Sequence, residues 1–258
     1  MCQPFSSITP EIYSLLYSKK DYKSEFDLLC SYMSQPVQFG NVLEAGAGTG
    51  TFTSLMKPYS QSITCIEPSP QMASYLLKRF SSEKIRVENT SIEDYLDVCD
   101  FDFDTFVAYF NVLNYIRPAN LSKLITRLAS YTSKPLHCLF DLWSLEYVME
   151  QPKEGSTIIK FPSPGSLSNS PQITRFASSV FNNDDESLSI LFTFNSGQEE
   201  LFTETHIIYP TNLSKLKDNL KKLDPHCIIE PIACSQDSAA KNMYSFCRNW
   251  LVSFTISP

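Results

Sequence analysis

The chain has 258 residues, of which 43% are hydrophobic and 19% charged, so one sizeable core can form and wholesale disorder is excluded. Its formal net charge of −7 argues against a nucleic-acid partner, because such a chain lacks the positive field that attracts phosphate backbones. No apolar stretch reaches the roughly 18 residues that a membrane helix needs, which argues against a membrane partner.

Strands and helices alternate through the first part of the sequence. Residues 9–18 and 22–34 are predicted as helices, with Asp21 as the cap of the second. The alternation that follows predicts βαβ units and a mostly parallel sheet. The predicted strands are 41–45, 62–67, 84–87, 103–110 and 136–142, and the helices between or after them are 49–56, 70–80, 91–96 and 118–131.

The later part of the sequence differs from the first in composition and in its pattern of predicted elements. Residues 150–172 are rich in serine, proline and glycine and are predicted as a loop. Turn-forming residues then separate three alternating runs, which predicts an antiparallel meander. A helix at 211–223 and two final strands are predicted next, with a terminal helix as the alternative for the last one. The meander strands are 172–180, 187–195 and 200–209, and the final strands are 226–232 and 242–254.

Cysteine usage points to a reducing compartment. Eight cysteines occur without a CxxC pair, and the three histidines complete no zinc spacing. The first residues show no charged segment followed by an apolar run, as a secretion signal would. We therefore expect free thiols, no bound metal and a cytoplasmic protein.

The most informative feature is a glycine-rich turn between a strand and a helix. Gly46, Gly48 and Gly50 alternate there, and they are three of only seven glycines in the chain. Glycines let the backbone bend sharply and let a ligand approach closely, and a helix start offers free N–H groups to an anionic ligand group. A tight turn without a ligand is the alternative, which the clustering disfavours.

Three residues near this turn indicate which ligand it holds. Thr51 stands where a dinucleotide fingerprint needs glycine, which disfavours an NAD-dependent oxidoreductase. Glu44 would repel a pyrophosphate but attract the amino group of a methionyl ligand. Glu67 ends the next strand, 21 residues after Gly46, where an acidic residue can bond both ribose hydroxyls. The residues therefore predict S-adenosylmethionine as the cofactor.

Several segments resemble the class I S-adenosylmethionine-dependent methyltransferases. EAGAGTG at 44–50 looks like their first motif and IEPSPQM at 66–72 like their second. Residues 90–94 resemble the segment that lies against the adenine, and 102–115 the fourth strand with its active-site end. Residues 13–22 are similar to the lid helices of small-molecule N-methyltransferases.

Three later segments resemble one branch of this family, which includes nucleotide-aminosugar N-methyltransferases. They are FDLW at 140–143, ITR at 173–175 and ETH at 204–206. The resemblance implies a doubly wound, Rossmann-like α/β fold with a seven-stranded, mostly parallel sheet, an antiparallel β-meander insertion and N-terminal lid helices. It implies a lid and cofactor core at 1–145, a β insertion on the substrate side at 146–210, and a final helix and strands completing the core sheet at 211–258.

The resemblance also implies which residues form the cofactor site. At one of these positions, Ser91, relatives often carry an acidic residue, and the change weakens the expected adenine contact. The predicted cofactor-binding residues are Tyr22, Glu44, Gly46, Gly48, Gly50, Glu67, Pro68, Met72, Ser91, Ile92 and Tyr109.

The acceptor side is predicted from strand ends and from the same resemblance. Asn111 follows the fourth strand where many relatives have histidine, and its presence favours an amine acceptor, since an amine with a free lone pair needs no strong base. Asp141 is predicted to hold the substrate amine or accept a proton, with a helix cap as the alternative. His206 is the preferred titratable group, with a structural role as the alternative.

Five further residues are predicted to bind the acceptor. Aromatic faces favour a sulfonium, so several tyrosines and one tryptophan are candidates for the wall of the site, with plain packing as the alternative. Arg175 is expected to pair with a carboxylate or phosphate of the acceptor, or with a neighbouring acid. The predicted substrate-binding residues are Tyr13, Asn114, Tyr115, Trp143 and Arg175.

The sequence therefore predicts an enzyme that methylates a small-molecule acceptor, with an amine favoured, and that is a monomer or a homodimer. Two alternatives stay open. One is a methyltransferase that acts on protein or RNA, which the acidic balance disfavours. The other is a non-catalytic S-adenosylmethionine-binding protein of the same fold, which Asn111 leaves open.

Overall fold

The computed structural model describes residues 5, 7–81, 84–99, 102–130, 134–150, 154–164, 172–232 and 249–257. Within these ranges the chain forms eight α-helices and eleven β-strands, numbered here in chain order. The helices are α1 Pro10–Leu16, α2 Tyr22–Ser31, α3 Thr51–Met56, α4 Pro70–Arg79, α5 Ile92–Val98, α6 Pro118–Ser130, α7 Leu145–Glu150 and α8 Leu213–Leu220. The strands are β1 Gly40–Ala45, β2 Ser60–Ile66, β3 Ile85–Glu88, β4 Thr105–Ala108, β5 Leu136–Trp143, β6 Glu154–Pro162, β7 Gln172–Asn182, β8 Ser187–Ser196, β9 Glu199–Ile208, β10 Ile228–Pro231 and β11 Asn249–Ile256.

A seven-stranded sheet forms the centre of the molecule. Its strand order is β10-β11-β5-β4-β1-β2-β3, with parallel pairing from β5 to β3 and antiparallel pairing of β11 with both neighbours. All four residues of β4 and the last four of β1 are buried, as expected for strands covered on both faces. The predicted doubly wound, mostly parallel seven-stranded sheet is confirmed.

The strand order reverses direction between β1 and β4, which are neighbours in the sheet. Ligands of such sheets bind in the crevice at this switch point, outside the carboxyl ends of the strands. The ends of β1, β2, β4 and β5 all lie at this edge because these strands run parallel. The glycine-rich turn and residues 109–111 therefore meet there.

A second sheet, β6-β7-β8-β9, is an antiparallel meander. The prediction of a loop across 150–172 is wrong for residues 154–162, which form the edge strand β6 and pair with β7 along its length. The loop was predicted from the glycine, serine and proline content of this region. The β-branched residues Thr157, Ile158 and Ile159 favour a strand, however, and Pro162 lies at the end of the strand, where proline is tolerated. Helix α7, just before it, was not predicted.

The N-terminal helices cover the meander and the switch point. Thr9 caps α1, and Asp21 caps α2 by accepting a hydrogen bond from the Ser24 amide, as predicted. Ile8 and Ile12 pack with Ile173 and Phe194 of the meander in one buried cluster. Both helices end earlier than predicted, and α1 is only seven residues long.

The end of the chain completes the large sheet. Helix α8 is shorter than predicted, and β10 and β11 pair antiparallel beside β5. The prediction of a strand rather than a helix is confirmed for residues 249–254, whereas 242–248 lie outside the described residues. The proposed three-part division of the chain stays a prediction. None of the helices in the described ranges is long and apolar enough to cross a membrane.

Candidate active site

The glycine-rich turn bends sharply after β1. Gly46, Gly48 and Gly50 all have positive φ angles, of 67°, 57° and 78°, which side-chain-bearing residues rarely adopt. A Cβ on Gly46 would stand 2.5 Å from Val112, whereas one on Gly48 would meet only the Gly46 carbonyl oxygen, at 4.0 Å. The turn therefore leaves open space at Gly48, which a ligand can fill.

Gly50 does not fit its predicted role. A Cβ there would collide with Phe80 and Leu76, so this residue faces α4 and does not line the cavity beside the turn. Helix α3 begins at Thr51, two residues later than predicted, with Gly50 as its left-handed cap. Gly50 thus serves the packing of the turn against α4.

Two buried carboxylates flank the turn. Glu44 accepts a hydrogen bond from the Thr53 hydroxyl at 2.6 Å, and Glu67 accepts from the amides of Gly48 and Ser69, both at 2.8 Å. Burial raises the pKa of each carboxyl to about 7, against these hydrogen bonds, which lower it. Both groups can therefore change charge when a ligand binds near neutral pH.

A cavity beside the turn, here called the glycine-turn cavity, encloses about 1160 Å³ of empty space, part of it open to solvent. Ten of the eleven predicted cofactor-binding residues line it, and Gly50 is the exception. The Ser91 hydroxyl caps α5 through the Asp94 amide, and Tyr109 stacks on Phe52 at 4.3 Å. The ten residues are Tyr22, Glu44, Gly46, Gly48, Glu67, Pro68, Met72, Ser91, Ile92 and Tyr109.

A second cavity, here called the meander cavity, lies against the inner face of the small sheet and encloses about 1040 Å³. Six residues that the sequence predicts for catalysis or acceptor binding line it, and Tyr17 lines it too. The six are Tyr13, Asn111, Tyr115, Trp143, Arg175 and His206.

The two cavities share one wall. Phe5, Tyr13, Phe110 and Tyr115 line both of them, so a group in one cavity lies across these aromatic rings from a group in the other. Phe5 packs edge-on against Tyr13 and Tyr115. The sequence analysis assigned no role to Phe5 or Phe110.

Asp141 lines neither cavity. Its buried carboxylate accepts a hydrogen bond from the Asn111 amide at 2.7 Å, and burial raises its pKa to about 7. Phe110 and Asn111 both have positive φ angles, of 76° and 59°, although neither is glycine. Asp141 thus stabilises a strained turn after β4. The sequence predicted that its carboxylate contacts a substrate, whereas in the structure it contacts a backbone amide.

Asn114 also has a structural position. Its amide nitrogen donates to the Tyr209 carbonyl and its amide oxygen accepts from the Trp143 amide, both at 2.8 Å, and it lines neither cavity. Both ends of this side chain are used to join β5 to the end of the meander, and the predicted contact with the acceptor stays a prediction. Proximity to the site was predictable, but the direction of the side chain was not.

Tyr115, His206 and Glu204 form a hydrogen-bonded line at the meander cavity. The Tyr115 hydroxyl lies 2.8 Å from His206 Nδ1, and His206 Nε2 lies 3.2 Å from Glu204 Oε2. Burial raises the pKa of Tyr115 well above its ordinary value. Glu204 belongs to the ETH segment at 204–206, and the sequence predicts no role for it.

Arg175 and Tyr17 add a polar group to the same cavity. The Arg175 guanidinium lies 5.0 Å from the Phe192 ring centre and hydrogen-bonds to the Tyr17 hydroxyl. Burial raises the pKa of Tyr17, and the nearby cation opposes that shift. In the described part of the chain, no cluster of three histidine, cysteine or acidic side chains is placed to hold a metal ion.

Comparisons with known proteins agree with this architecture. Residues 42–134 match the family model described as a methyltransferase domain. An S-adenosylmethionine-dependent methyltransferase from Clostridium acetobutylicum is similar in fold, with a TM-score of 0.68, 18% identity, and coverage of 96% of this chain and 97% of that one. A comparison with curated proteins found no match.

Two further solved structures are similar over nearly the whole chain. The amino pentose methyltransferase CalS10 from Micromonospora echinaspora, solved with S-adenosylmethionine bound, has a TM-score of 0.65 and 10% identity, covering 94% of this chain and 96% of that one. The sugar N-methyltransferase KedS8 from Streptoalloteichus has a TM-score of 0.63 and 13% identity, covering 98% and 96%. At these identities the likeness is one of fold. The family model therefore shows a methyltransferase domain at residues 42–134, and the solved structures show that the chain has the Rossmann-like methyltransferase fold over nearly its whole length.

Proposed function

We propose that the chain transfers the methyl group of S-adenosylmethionine to the amine nitrogen of a small molecule bound in the meander cavity. The observation that carries the proposal is the wall of four aromatic residues that the two cavities share. Methyl transfer from a sulfonium is an in-line displacement, so it needs a donor and an acceptor on either side of one narrow passage. Two adjoining cavities of this size meet that need.

The residues of the glycine-turn cavity fit the cofactor. Open space at Gly48 admits a ligand backbone, Glu67 has carboxylate lone pairs left for ribose hydroxyls, and Glu44 in its ionised form attracts an ammonium group. When bound, the cofactor supplies an electrophilic methyl group on a sulfonium. The rings of Tyr13, Phe110 and Tyr115 favour a positive charge at their faces.

Polar groups in the meander cavity suit an amine. The Asn111 side chain is 8% exposed, and its Oδ1 has no hydrogen-bond partner within the described residues, so it can accept a hydrogen bond from an amine N–H. The Trp143 indole N–H also lacks a partner among those residues and is a donor for an oxygen of the acceptor. Arg175 is proposed to contact a carboxylate or phosphate of the acceptor.

The shape of the meander cavity favours a small acceptor over a protein or RNA. It lies between the inner face of the small sheet, α1 and the turn after β4, and aliphatic and aromatic side chains make up much of its wall. CalS10 and KedS8 are named for amino pentose and sugar N-methylation, so amino sugars are the first acceptors to try. We also propose that the protein acts in the cytoplasm as a monomer or homodimer, without nucleic-acid or membrane partners.

A turnover assay with labelled cofactor tests this proposal. The purified protein is incubated with S-adenosylmethionine carrying a labelled methyl group and with a panel of amino sugars, alkylamines and arylalkylamines, each paired with the alcohol of the same skeleton. We expect label in at least one amine product and none in its paired alcohol, because a neutral amine attacks through its free lone pair, whereas a hydroxyl must first lose its proton. Transfer to alcohols alone would contradict the choice of amine, and cofactor binding without any transfer would favour the non-catalytic alternative.

A further inference from the structure

Three of the described residues before α1 are held in place by hydrogen bonds close to the two cavities. Phe5, Ser7 and Ile8, here called the strap, precede α1, and Phe5 lines the glycine-turn cavity and the meander cavity. The Glu204 carboxylate accepts hydrogen bonds from the Ser7 amide at 2.5 Å and the Ile8 amide at 2.8 Å. On the other side, the Ser69 hydroxyl donates to the Phe5 carbonyl at 3.0 Å. Phe5 is therefore held at the wall that the two cavities share.

The carboxylate that holds the strap also holds His206. Glu204 binds the strap amides through Oε1 and faces His206 Nε2 through Oε2. Burial would raise the pKa of Glu204, but the hydrogen bonds from His206, Ile8 and Ser7 outweigh it and lower that pKa. The carboxylate is thus ionised at neutral pH and acts as an acceptor towards all three donors.

An ionised Glu204 fixes which nitrogen of His206 carries the proton. A carboxylate accepts only, so neutral His206 donates from Nε2 and keeps the lone pair of Nδ1. That lone pair faces the Tyr115 hydroxyl, which therefore donates to it at 2.8 Å. The oxygen of Tyr115 is then left as an acceptor towards the wall that the two cavities share.

We propose that Glu204 is a positioning residue that holds the strap in place and at the same time orients a proton path leading from the acceptor amine through Tyr115 to His206. The proposal rests on the proposed function, since it needs an amine to give up a proton. The acceptor nitrogen forms a bond to the methyl carbon, the carbon–sulfur bond breaks, and sulfur keeps that electron pair. One N–H proton passes to Tyr115 as the Tyr115 proton passes to His206 Nδ1, which leaves an imidazolium beside the Glu204 carboxylate.

Among the described residues that line the meander cavity, Glu204 is the only one with a carboxylate, so it alone is placed to stabilise that imidazolium. The other titratable groups lining it are Tyr13 and Tyr17 from α1, Tyr115 from the turn after β4, and Arg175 from β7. The rings of Phe5 and Phe192 pack on His206 with centres 4.7 Å and 4.9 Å away. The positive charge of Arg175 disfavours a second positive charge on His206, so the stability of the imidazolium depends on the Glu204 carboxylate.

The coupling is tested on ¹⁵N-labelled protein saturated with S-adenosylhomocysteine, without any acceptor. NMR of the imidazole nitrogens reports the tautomer of His206, and a His206→Asn variant separates its signals from those of His137 and His226. Hydrogen exchange of the Ser7 and Ile8 amides reports the strap. The variant is Glu204→Gln, and the matched control is Glu199→Gln on the same strand, whose side chain is exposed.

We expect wild-type His206 to be protonated on Nε2 when neutral. Glu204→Gln replaces the carboxylate, which accepts from both the strap and His206, by an amide with one accepting oxygen. A single amide oxygen cannot serve both contacts, so His206 should change tautomer or the strap amides should exchange about tenfold faster. Glu199→Gln should match the wild type in both signals.

Two outcomes would overturn the coupling. One is an unchanged His206 tautomer and unchanged strap protection in Glu204→Gln. The other is a neutral His206 with its proton on Nδ1 in the wild type. If Glu204→Gln does not fold, Tyr115→Phe tests the proton path instead. This variant should alter the Nδ1 signal of His206 and leave the strap amides protected. An unaltered Nδ1 signal would overturn the path. Because no acceptor is used, these results stand apart from any failure of the turnover assay.

Discussion

Replacing Gly48 by valine is expected to lower the affinity for S-adenosylhomocysteine by about 100-fold or more while the protein stays folded. The new side chain would enter the open space of the glycine-turn cavity, since a Cβ at this position meets nothing closer than the Gly46 carbonyl oxygen. A positive φ of 57° adds a backbone cost of about 1–2 kcal/mol for a residue with a Cβ. Calorimetric titration and thermal unfolding measure the two effects separately.

Gly197 provides the matched control for that substitution. It has a φ of 63° in the turn between β8 and β9, and a Cβ there would meet nothing within 4 Å. Gly197→Val should therefore cost a similar amount of stability and leave cofactor affinity unchanged. Equal losses of affinity in both variants would mean that backbone strain, and not a filled cavity, explains the effect at Gly48.

Replacing Asp141 by alanine is expected to destabilise the fold by about 2 kcal/mol and to lower turnover by about 100-fold. The Asn111 amide would lose its acceptor in a buried place, at a turn where two non-glycine residues have positive φ angles. That turn carries Phe110, which separates the two cavities, so its displacement misaligns donor and acceptor. Thermal unfolding should show a midpoint lower by about 5 °C.

Asp141→Asn separates the two roles of this residue. Asparagine keeps the side-chain oxygen that accepts from the Asn111 amide but cannot take up a proton at neutral pH. We expect near-normal stability and turnover, because Asp141 lines neither cavity and acts through the turn. A large loss of turnover in a stable Asp141→Asn protein would restore the role of proton acceptor that the sequence suggested.

The sequence predicted which residues lie together at the candidate site where local patterns determine their positions. The glycine turn, Glu44 and Glu67 lie within 24 consecutive positions, 44 to 67, on two neighbouring parallel strands, so their meeting follows from the strand–turn–helix order. The sequence does not show that Gly50 faces α4, because this contact depends on where α4 packs. Asn114 and Asp141 were placed at the correct edge of the sheet, but a strand end does not show whether a polar side chain meets a ligand or a backbone amide.

Long-range contacts were out of reach of the sequence. Ser7 and Glu204 are 197 positions apart, and only the packing of α1 against the meander brings them together. The edge strand β6 was missed for a related reason, since pairing with β7 overrides its loop-like composition. The role of Glu204 follows from its contacts with both His206 and the strap, which only the folded structure shows.

Calorimetric titration with S-adenosylhomocysteine from about pH 6 to about pH 8 tests the central claim, that a bent glycine turn between two buried carboxylates holds the cofactor. The pKa of Glu44 and of Glu67 is raised to about 7 in the free protein, and binding an ammonium group or ribose hydroxyls favours the ionised forms. Binding should therefore release protons and tighten with rising pH, by about tenfold for each carboxylate that must ionise. No binding up to about 1 mM ligand, or an affinity unchanged across this range, would contradict the account.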